Sequence, residues 1–572
     1  MPNNPLYIPL AESFQRLQTL DVTIGGLKLG GNYPIRIQSM TNTNTLHTQA
    51  TVAQAIRMVD AGCELVRITA QGVREAENLA EIKKELRWRG YDVPLIADIH
   101  FNPKAAEVAA RLVEKVRINP GNYTERNTEQ AAYSEHTNAE AKDRILKNIK
   151  PLIAICKQYG TALRIGSNQG SLSQRILSGF GDTPQGMVEA ALEFVDVCEA
   201  LGFYNLVLSM KSSNPQSMMV ANRLLVQRLI NRGRVYPIHL GVTEAGEGED
   251  GRIKSAAGIG AMLAEGIGDT IRVSLTEEPE AEIPIGKVLV KHAQHQKTAS
   301  KINLPLGIPY EPNNRQNTIE MGGIGGPHKP VVIGCGQGFP APDINLAAGL
   351  PFETIALKAE EINQAVIENI RGINQKVIVI STAHPRAIQA LKMALVTMSE
   401  TGIKVPEIIK IDSVSPSNET FIVATAAELG PVFQEGYGNG IWLHNPFIDS
   451  QILVSASFGI LQAAHARISR TEYISCPSCG RTQYNIQEAV KIIRSRTAHL
   501  KGLTIGIMGC IVNGPGEMAG ADYGYVGSGK GVVTLFKRTE AVKKNIPEQD
   551  AVEELIKLIK SNGDWKEPEE VS

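Results

Sequence analysis

Cysteine is scarce in this chain: seven residues in 572, an odd number with a single close pair. That excludes a disulfide framework and fits a reducing compartment. Net charge is almost absent as well, with 58 Lys and Arg against 59 Asp and Glu. A near-neutral chain has no general affinity for nucleic acid or membrane, so any anionic ligand must meet a local cluster of cations. No apolar run approaches the roughly 18 residues that a membrane-spanning helix needs. The opening MPNNPLYIPLAESFQRLQ lacks the basic start and apolar core of a secretory signal, and the Arg and Ser richness of a transit segment. A cytoplasmic protein with no nucleic-acid or membrane partner is expected.

What is present is an ordinary globular composition, 43% hydrophobic and 20% charged, long enough for two to four domains. A hairpin is predicted around Gly25-Gly26 in LDVTIGGLKLGG, plugging one end of the domain that follows. Apolar strands then alternate with amphipathic helices. Strands are predicted at 35–41, 63–69, 94–100, 115–119, 161–166, 205–211, 237–243 and 269–275. Segments such as TPQGMVEAALEFVDVCEALG carry apolar residues three and four apart and stop at Gly, as helices do. Eight such repeats have the size of a TIM-type (β/α)8 barrel, placed at 1–291. A doubly wound sheet would want GxGxxG after its first strand, which is missing. Less regular alternation over 292–465 predicts a second, inserted α/β domain, an incomplete barrel. Its strand candidates are PVVIGCG, ETIALKA, KVIVIST, EIIKIDS, TFIVATA and GIWLHN. Residues 466–572 read as a small α/β domain with a hairpin at YGYVGSGKGVVTLFKR.

In a parallel barrel the chemistry sits at the C-terminal ends of the strands. Here those ends carry Arg67, Asp98, His100, Arg117, Asn119, Arg164, Asn168, Lys211, Glu244, Arg272 and Ser274. One Arg in a strand is ordinarily half of an ion pair. Five cations on five strands would converge on one mouth and repel each other, with too few strand-end acids to neutralise them. A phosphate or diphosphate ligand is the simplest partner, because Arg grips phosphate oxygens in pairs. Glu244, in a Gly-rich loop, is expected to have a lowered pKa beside these cations and to act as base, stabiliser or counter-ion. Asp98 and His100 alternate along one strand and point the same way.

The C-terminal cysteines form a second constellation: Cys476 and Cys479 in CPSCG, then Cys510 and Glu517 in GCIVNGPGE. A zinc ribbon would need a second knuckle about 15–20 residues on, and none follows. A thioredoxin-like dithiol leaves Cys510 unexplained. CxxxCxxC, wanted by radical S-adenosylmethionine enzymes, is absent, and so is the second Cys pair of a sirohaem reductase. With Cys510 counted, an iron–sulfur cluster with one unusual ligand leads over zinc. Cys63, Cys156 and Cys198 fall in barrel strands or helices and read as buried apolar residues. Cys335 lies in a Gly-rich loop with no local partner.

These pieces together resemble the (E)-4-hydroxy-3-methylbut-2-enyl diphosphate synthase family, in its long three-domain form. The matching stretches are IQSMTNTNT, ELVRIT, PLIADIHFNP, VRINPGN, LRIGSNQGSL, LVLSMKSS, HLGVTEAGEG, ISCPSCGRTQYN and MGCIVNGPGE, in chain order. The resemblance implies an iron–sulfur oxidoreductase holding a [4Fe-4S] cluster on Cys476, Cys479, Cys510 and Glu517. It implies that Arg67, Arg117, Arg164, Lys211, Arg272 and Ser274 bind the substrate diphosphate. Asn168 and Glu244 would stand beside the reacting carbons, with Asp98 and His100 at further motif positions. The implied reaction is reductive ring opening of 2-C-methyl-D-erythritol 2,4-cyclodiphosphate, with ferredoxin or flavodoxin as electron donor and a homodimer as the assembly. The inserted domain matches no catalytic motif, and a structural role is expected. The competing expectation is a phosphate-binding barrel lyase or isomerase with a structural zinc ribbon.

Overall fold

Alternation at period two dictates how the barrel is filled. The computed structural model describes residues 14–99, 101–124, 133–296, 315–336, 338, 340–373, 375–512 and 514–568, and the backbone of short strands at 6–8 and 308–310. Eight parallel strands form one sheet: β1 (Arg36–Met40), β2 (Leu65–Thr69), β3 (Leu95–Asp98), β4 (Lys115–Ile118), β5 (Ala162–Asn168), β6 (Leu206–Lys211), β7 (His239–Leu240) and β8 (Thr270–Ile271). β8 pairs with both β7 and β1, and a bridge between Leu208 and Ile238 brings β6 beside β7, closing the ring. This is the TIM-type barrel expected from the sequence.

Inward positions change character from bottom to top. Leu65, Ile96, Ala162 and Val207 form a lower apolar layer, on which Val22, Ile24 and Leu29 of the N-terminal hairpin pack. The hairpin turns at Gly25, whose φ of 60° a side chain would resist, and it plugs this end as expected. Two residues further along their strands, Arg67, Asp98 and Arg164 point to the opposite end. A one-residue slip would bury these charges against helices, so the pattern fixes register.

β7 and β8 are shorter than the predicted 237–243 and 269–275 because the chain leaves the ladder early. The Thr243 and Thr276 amides bond to Ser212 and Gly246 carbonyls at 3.0 and 2.9 Å, and the Leu275 amide bonds to the Glu282 carboxylate at 3.2 Å. The strand predicted to 100 ends at Asp98.

The C-terminal domain is a five-stranded sheet in chain order, Glu472–Ser475, Thr504–Met508, Tyr523–Gly529, Val532–Lys537 and Glu540–Pro547. The first three strands are parallel and the last two antiparallel. Helices Ile486–Thr497 and Glu548–Ser561 cover an apolar face built on Val490, Ile493, Tyr525, Leu555 and Ile559.

By density of contacts the chain divides into two units. One holds 17–251, 268–286 and 470–572, hence the barrel strands and the C-terminal domain together. The other holds 1–16, 252–267 and 287–469. Its six parallel strands run in the order Ile344–Asn345, Val331–Gly334, Gly440–His444, Glu407–Asp412, Lys376–Ser381 and Glu353–Lys358. One strand candidate here was wrong: TFIVATA lies inside helix Asn418–Gln434, started by the Ser417 hydroxyl accepting from the Thr420 amide at 3.2 Å. The cap and burial of Phe421 and Val423 override the strand preference of that β-branched run. No helix among the described residues is long and apolar enough to cross a membrane.

Candidate active site

The upper barrel layer and the C-terminal domain enclose one pocket of about 740 Å³, counting its open solvent. Arg67, Asp98, Arg117, Arg164, Asn168, Lys211, Glu244, Arg272 and Ser274 line it from the barrel, and Cys476, Cys479, Cys510 and Glu517 line it from the C-terminal domain. The two constellations read separately in the sequence therefore meet. His100 lies outside the described residues. Asn119 instead caps a short helix and donates to the Ser171 hydroxyl at 3.0 Å.

Arg117, Arg164, Lys211 and Arg272 are buried and Arg67 is partly so, and removal from water works against the charge of each. Arg67 falls to about 10, chiefly through burial, with Arg272 and Arg117 adding repulsion. Arg164 is driven well down by burial and then by Arg67 and Arg117, and Lys211 by burial and then by Arg164 and Arg67. Arg164 keeps Nε and Nη1 without a protein partner among the described residues. A buried guanidinium held this way costs free energy unless an anion meets it.

Acids temper part of the cluster, more than strand ends alone suggested. Arg117 lies 3.3 Å from Asp98. Arg272 forms a two-pronged pair with Glu282, at 3.0 Å from both Nε and Nη2. Burial opposes its charge, but Glu282 outweighs burial and raises the Arg272 pKa. Glu282 sits on the helix after β8, where a search of strand ends does not look.

Glu244 overturns an expectation. Its pKa is raised well above the ordinary carboxylate value, not lowered. Burial is the first cause and the neighbouring Glu517 carboxyl the second; Lys211 acts the other way and loses. Its backbone has a φ of 48°, uncommon for a residue with a side chain, and this turns the loop after β7 into the pocket.

The thiols line the opposite wall. The Cys476 thiol is pushed up by burial first, then by Cys479, and it accepts the Gly509 amide at 3.2 Å. Burial and Cys479 likewise raise Cys510. Ser478, between the paired cysteines, has a φ of 66°, so the CPSC segment turns sharply. Among the described residues no three Cys, His, Asp or Glu side chains gather tightly enough for a single metal ion. Three mutually interacting thiols, an amide aimed at sulfur and a carboxylate on the same wall are a donor set that suits a larger iron–sulfur group. Cys63, Cys156 and Cys198 are buried as expected, while Cys335 is exposed.

The C-terminal domain rests on its own chain's barrel. Thr276 Oγ1 lies 2.8 Å from Ser475 Oγ, Gln71 donates to the Gly480 carbonyl at 3.1 Å, and Arg470 and Arg494 both grip Asp250. Sequence reasoning also passed over Arg481, which sits in the quoted CPSCGR stretch and lines the pocket. Burial opposes its charge, but the Cys479 thiol and the Asp98 carboxylate raise its pKa.

Fold and pocket define a TIM-barrel enzyme whose cationic mouth faces a thiol-bearing second domain. Residues 19–287 match the GcpE TIM-barrel domain and residues 472–561 the GcpE protein C-terminal domain. The chain is 44% identical to the 4-hydroxy-3-methylbut-2-en-1-yl diphosphate synthase (flavodoxin) of Parabacteroides distasonis, over 97% of this chain and 99% of that one. The Porphyromonas gingivalis protein of the same description is 45% identical with the same coverage, and that of Protochlamydia amoebophila is 40% identical over 99% of both chains. The chain belongs to the GcpE family of 4-hydroxy-3-methylbut-2-en-1-yl diphosphate synthases.

Proposed function

We propose that the pocket carries out the reaction of this family within one chain. The protein catalyses reductive ring opening of 2-C-methyl-D-erythritol 2,4-cyclodiphosphate to (E)-4-hydroxy-3-methylbut-2-enyl diphosphate. Two electrons and two protons enter. The tertiary C–O bond to the diphosphate breaks, a hydroxyl leaves as water, and the diphosphate stays on its primary carbon. The observation that carries the residue assignments is the convergence of barrel cations and C-terminal thiols on one pocket.

Arg67, Arg117, Arg164, Lys211, Arg272 and Ser274 hold the diphosphate and keep hold after the ring opens. Glu244, whose carboxyl burial and Glu517 bias toward the protonated form, is placed to give a proton to the departing hydroxyl. Asn168 orients Glu517 and faces the same space. Asp98 sets the charge and position of Arg117, and His100 belongs to the same motif. Cys476, Cys479, Cys510 and Glu517 would hold a [4Fe-4S] cluster, which when bound supplies electrons singly at low potential. The packed C-terminal domain keeps water from the reacting carbons.

The remaining assignments follow the family reading. Flavodoxin or ferredoxin delivers the electrons, the protein works in the cytoplasm, and the assembly is a homodimer. The domains are 1–291, 292–465 and 466–572. The middle one is an incomplete barrel, supported by six parallel strands in cyclic chain order with a break between Ile344–Asn345 and Glu353–Lys358. Its role is structural. Anaerobic purification followed by iron and sulfide analysis and electron paramagnetic resonance tests the centre, and phosphorus NMR of the product tests the reaction. Stoichiometric zinc without sulfide, or an unconsumed cyclic diphosphate under reductant, would overturn the reading.

A further inference from the structure

Arg481 approaches the anion pocket from the C-terminal domain, two residues beyond Cys479. Its Nη2 lies 3.4 Å from one oxygen of Asp98, while the other oxygen of Asp98 lies 3.3 Å from Arg117. A single barrel carboxylate thus stands between two guanidiniums from two domains. Arg67 and Arg117 both feel Arg481 as a like charge. Seating the C-terminal domain therefore adds one more cation to a mouth already crowded with them.

Asp98 and the Cys479 thiol already offset that repulsion in the empty mouth, and a polyanion seated among the cations offsets it further. The anion that neutralises the barrel cations also removes the repulsion opposing Arg481. Thermodynamic reciprocity links the two events: whatever the seated domain adds to anion affinity, the bound anion adds to seating. Several other contacts across this interface, Thr276 with Ser475, Gln71 with Gly480 and Arg470 and Arg494 with Asp250, involve residues that do not line the pocket. They fix where the domain lands without sensing the ligand.

We propose that Arg481 is a substrate-positioning residue that completes the anion pocket from the C-terminal domain, so that diphosphate binding and seating of that domain strengthen each other. The proposal rests on reading the barrel mouth as the diphosphate site.

The test uses the full-length, anaerobically purified protein and inorganic pyrophosphate. Calorimetry reads binding, and hydrogen–deuterium exchange reads seating at 43–45 and 475–480. In the unaltered protein pyrophosphate slows exchange in both segments. Arg481→Gln weakens pyrophosphate binding about tenfold and removes the ligand-dependent slowing, while Arg481→Lys keeps part of each. Iron and sulfide content shows whether the centre survives. Where Arg481→Gln fails to fold, Asp98→Asn decides: loss of the shared carboxylate widens the difference between empty and filled protein, and an unchanged difference overturns the proposal. Arg164→Gln separates the levels of argument. If it weakens binding while Arg481→Gln behaves as the unaltered protein, the role of Arg481 falls alone. If neither variant weakens binding, the diphosphate reading of the barrel falls with it.

Discussion

Asn168, at the end of β5, donates its side-chain amide to Glu517 Oε1 across 3.1 Å. The pair joins the barrel to the C-terminal domain at the point where the cysteine thiols and the barrel cations face each other. Asn168 also accepts from Arg117 at 3.3 Å, so the Glu517 carboxylate, Asn168, Arg117 and Asp98 form one continuous polar line. A displacement of Glu517 is therefore felt among the barrel cations.

Glu517 is the one oxygen ligand in the proposed set, and its exchange should matter more to turnover than to assembly. In Glu517→Gln the three thiolates remain, so most iron and sulfide should be retained. Turnover should fall by about a hundredfold or more, since the carboxylate is both ligand and partner of Asn168. Iron, sulfide and product formation measured on the same preparation check this; full activity would remove Glu517 from the mechanism.

Seating of the domain also depends on two glycines. A Cβ on Gly516 would lie 1.8 Å from the Gly170 carbonyl oxygen, and one on Gly170 would lie 2.1 Å from that of Gly516. Backbone cannot yield as a flexible side chain does. Gly516→Ala should leave each domain folded but hold the interface apart. A displacement of about 1 Å is enough to cost about a hundredfold in kcat/KM. Circular dichroism should be unchanged while steady-state activity collapses.

Legibility in the sequence followed the range of the interactions. Strand alternation is local, so the cations of β2, β4, β5 and β6 were visible from spacing alone. The three cysteines of the proposed cluster stood out because cysteine is sparse in the chain, and Glu517 entered as a ligand through the family resemblance. Glu282 was missed because its partnership with Arg272 runs from a helix back to a strand end. The pKa direction of Glu244 was misjudged for a related reason. Its cation neighbours are on the barrel, but the opposing Glu517 arrives from a position 273 residues later. TFIVATA shows the local limit: a β-branched run becomes helix when a Ser cap and a buried face require it.

The raised pKa of Glu244 sets a pH dependence. A proton donor works in its protonated form, so kcat should decline as pH rises through the folded pKa, which lies above the ordinary 4.5. Glu244→Gln should remove that alkaline limb and lower the plateau by about 10²–10⁴. Rate–pH profiles of both proteins under excess reductant decide the matter; an unchanged limb in the variant would assign the proton to another group.

Arg272 and Glu282 are almost fully buried, at 3% and 2% side-chain exposure. Glu282 also accepts from the Ser39 hydroxyl at 2.5 Å and the Leu275 amide at 3.2 Å. Removing it strands a guanidinium in a dry site. Glu282→Ala should destabilise the protein by about 3–5 kcal/mol, measured by urea unfolding, and misplace Arg272 at the barrel mouth. Arg272→Met together with Glu282→Leu should recover most of the stability and none of the activity.

Glu407 gives a stability prediction in the other unit. It starts strand Glu407–Asp412, is fully buried, and its carboxylate accepts from the Gln316 side-chain amide at 3.1 Å. Burial lifts its pKa from 4.5 to about 8, against a smaller opposite pull from Gln316. The folded chain thus binds a proton more tightly than the unfolded one. Its contribution to stability is complete below pH 4.5 and is lost progressively as pH rises to about 8. Glu407→Gln keeps the shape and removes the titration. The unfolding midpoint of the variant should therefore exceed that of the unaltered protein increasingly over this range, with the two converging in acid. Parallel midpoints at all pH values would place the Glu407 proton elsewhere.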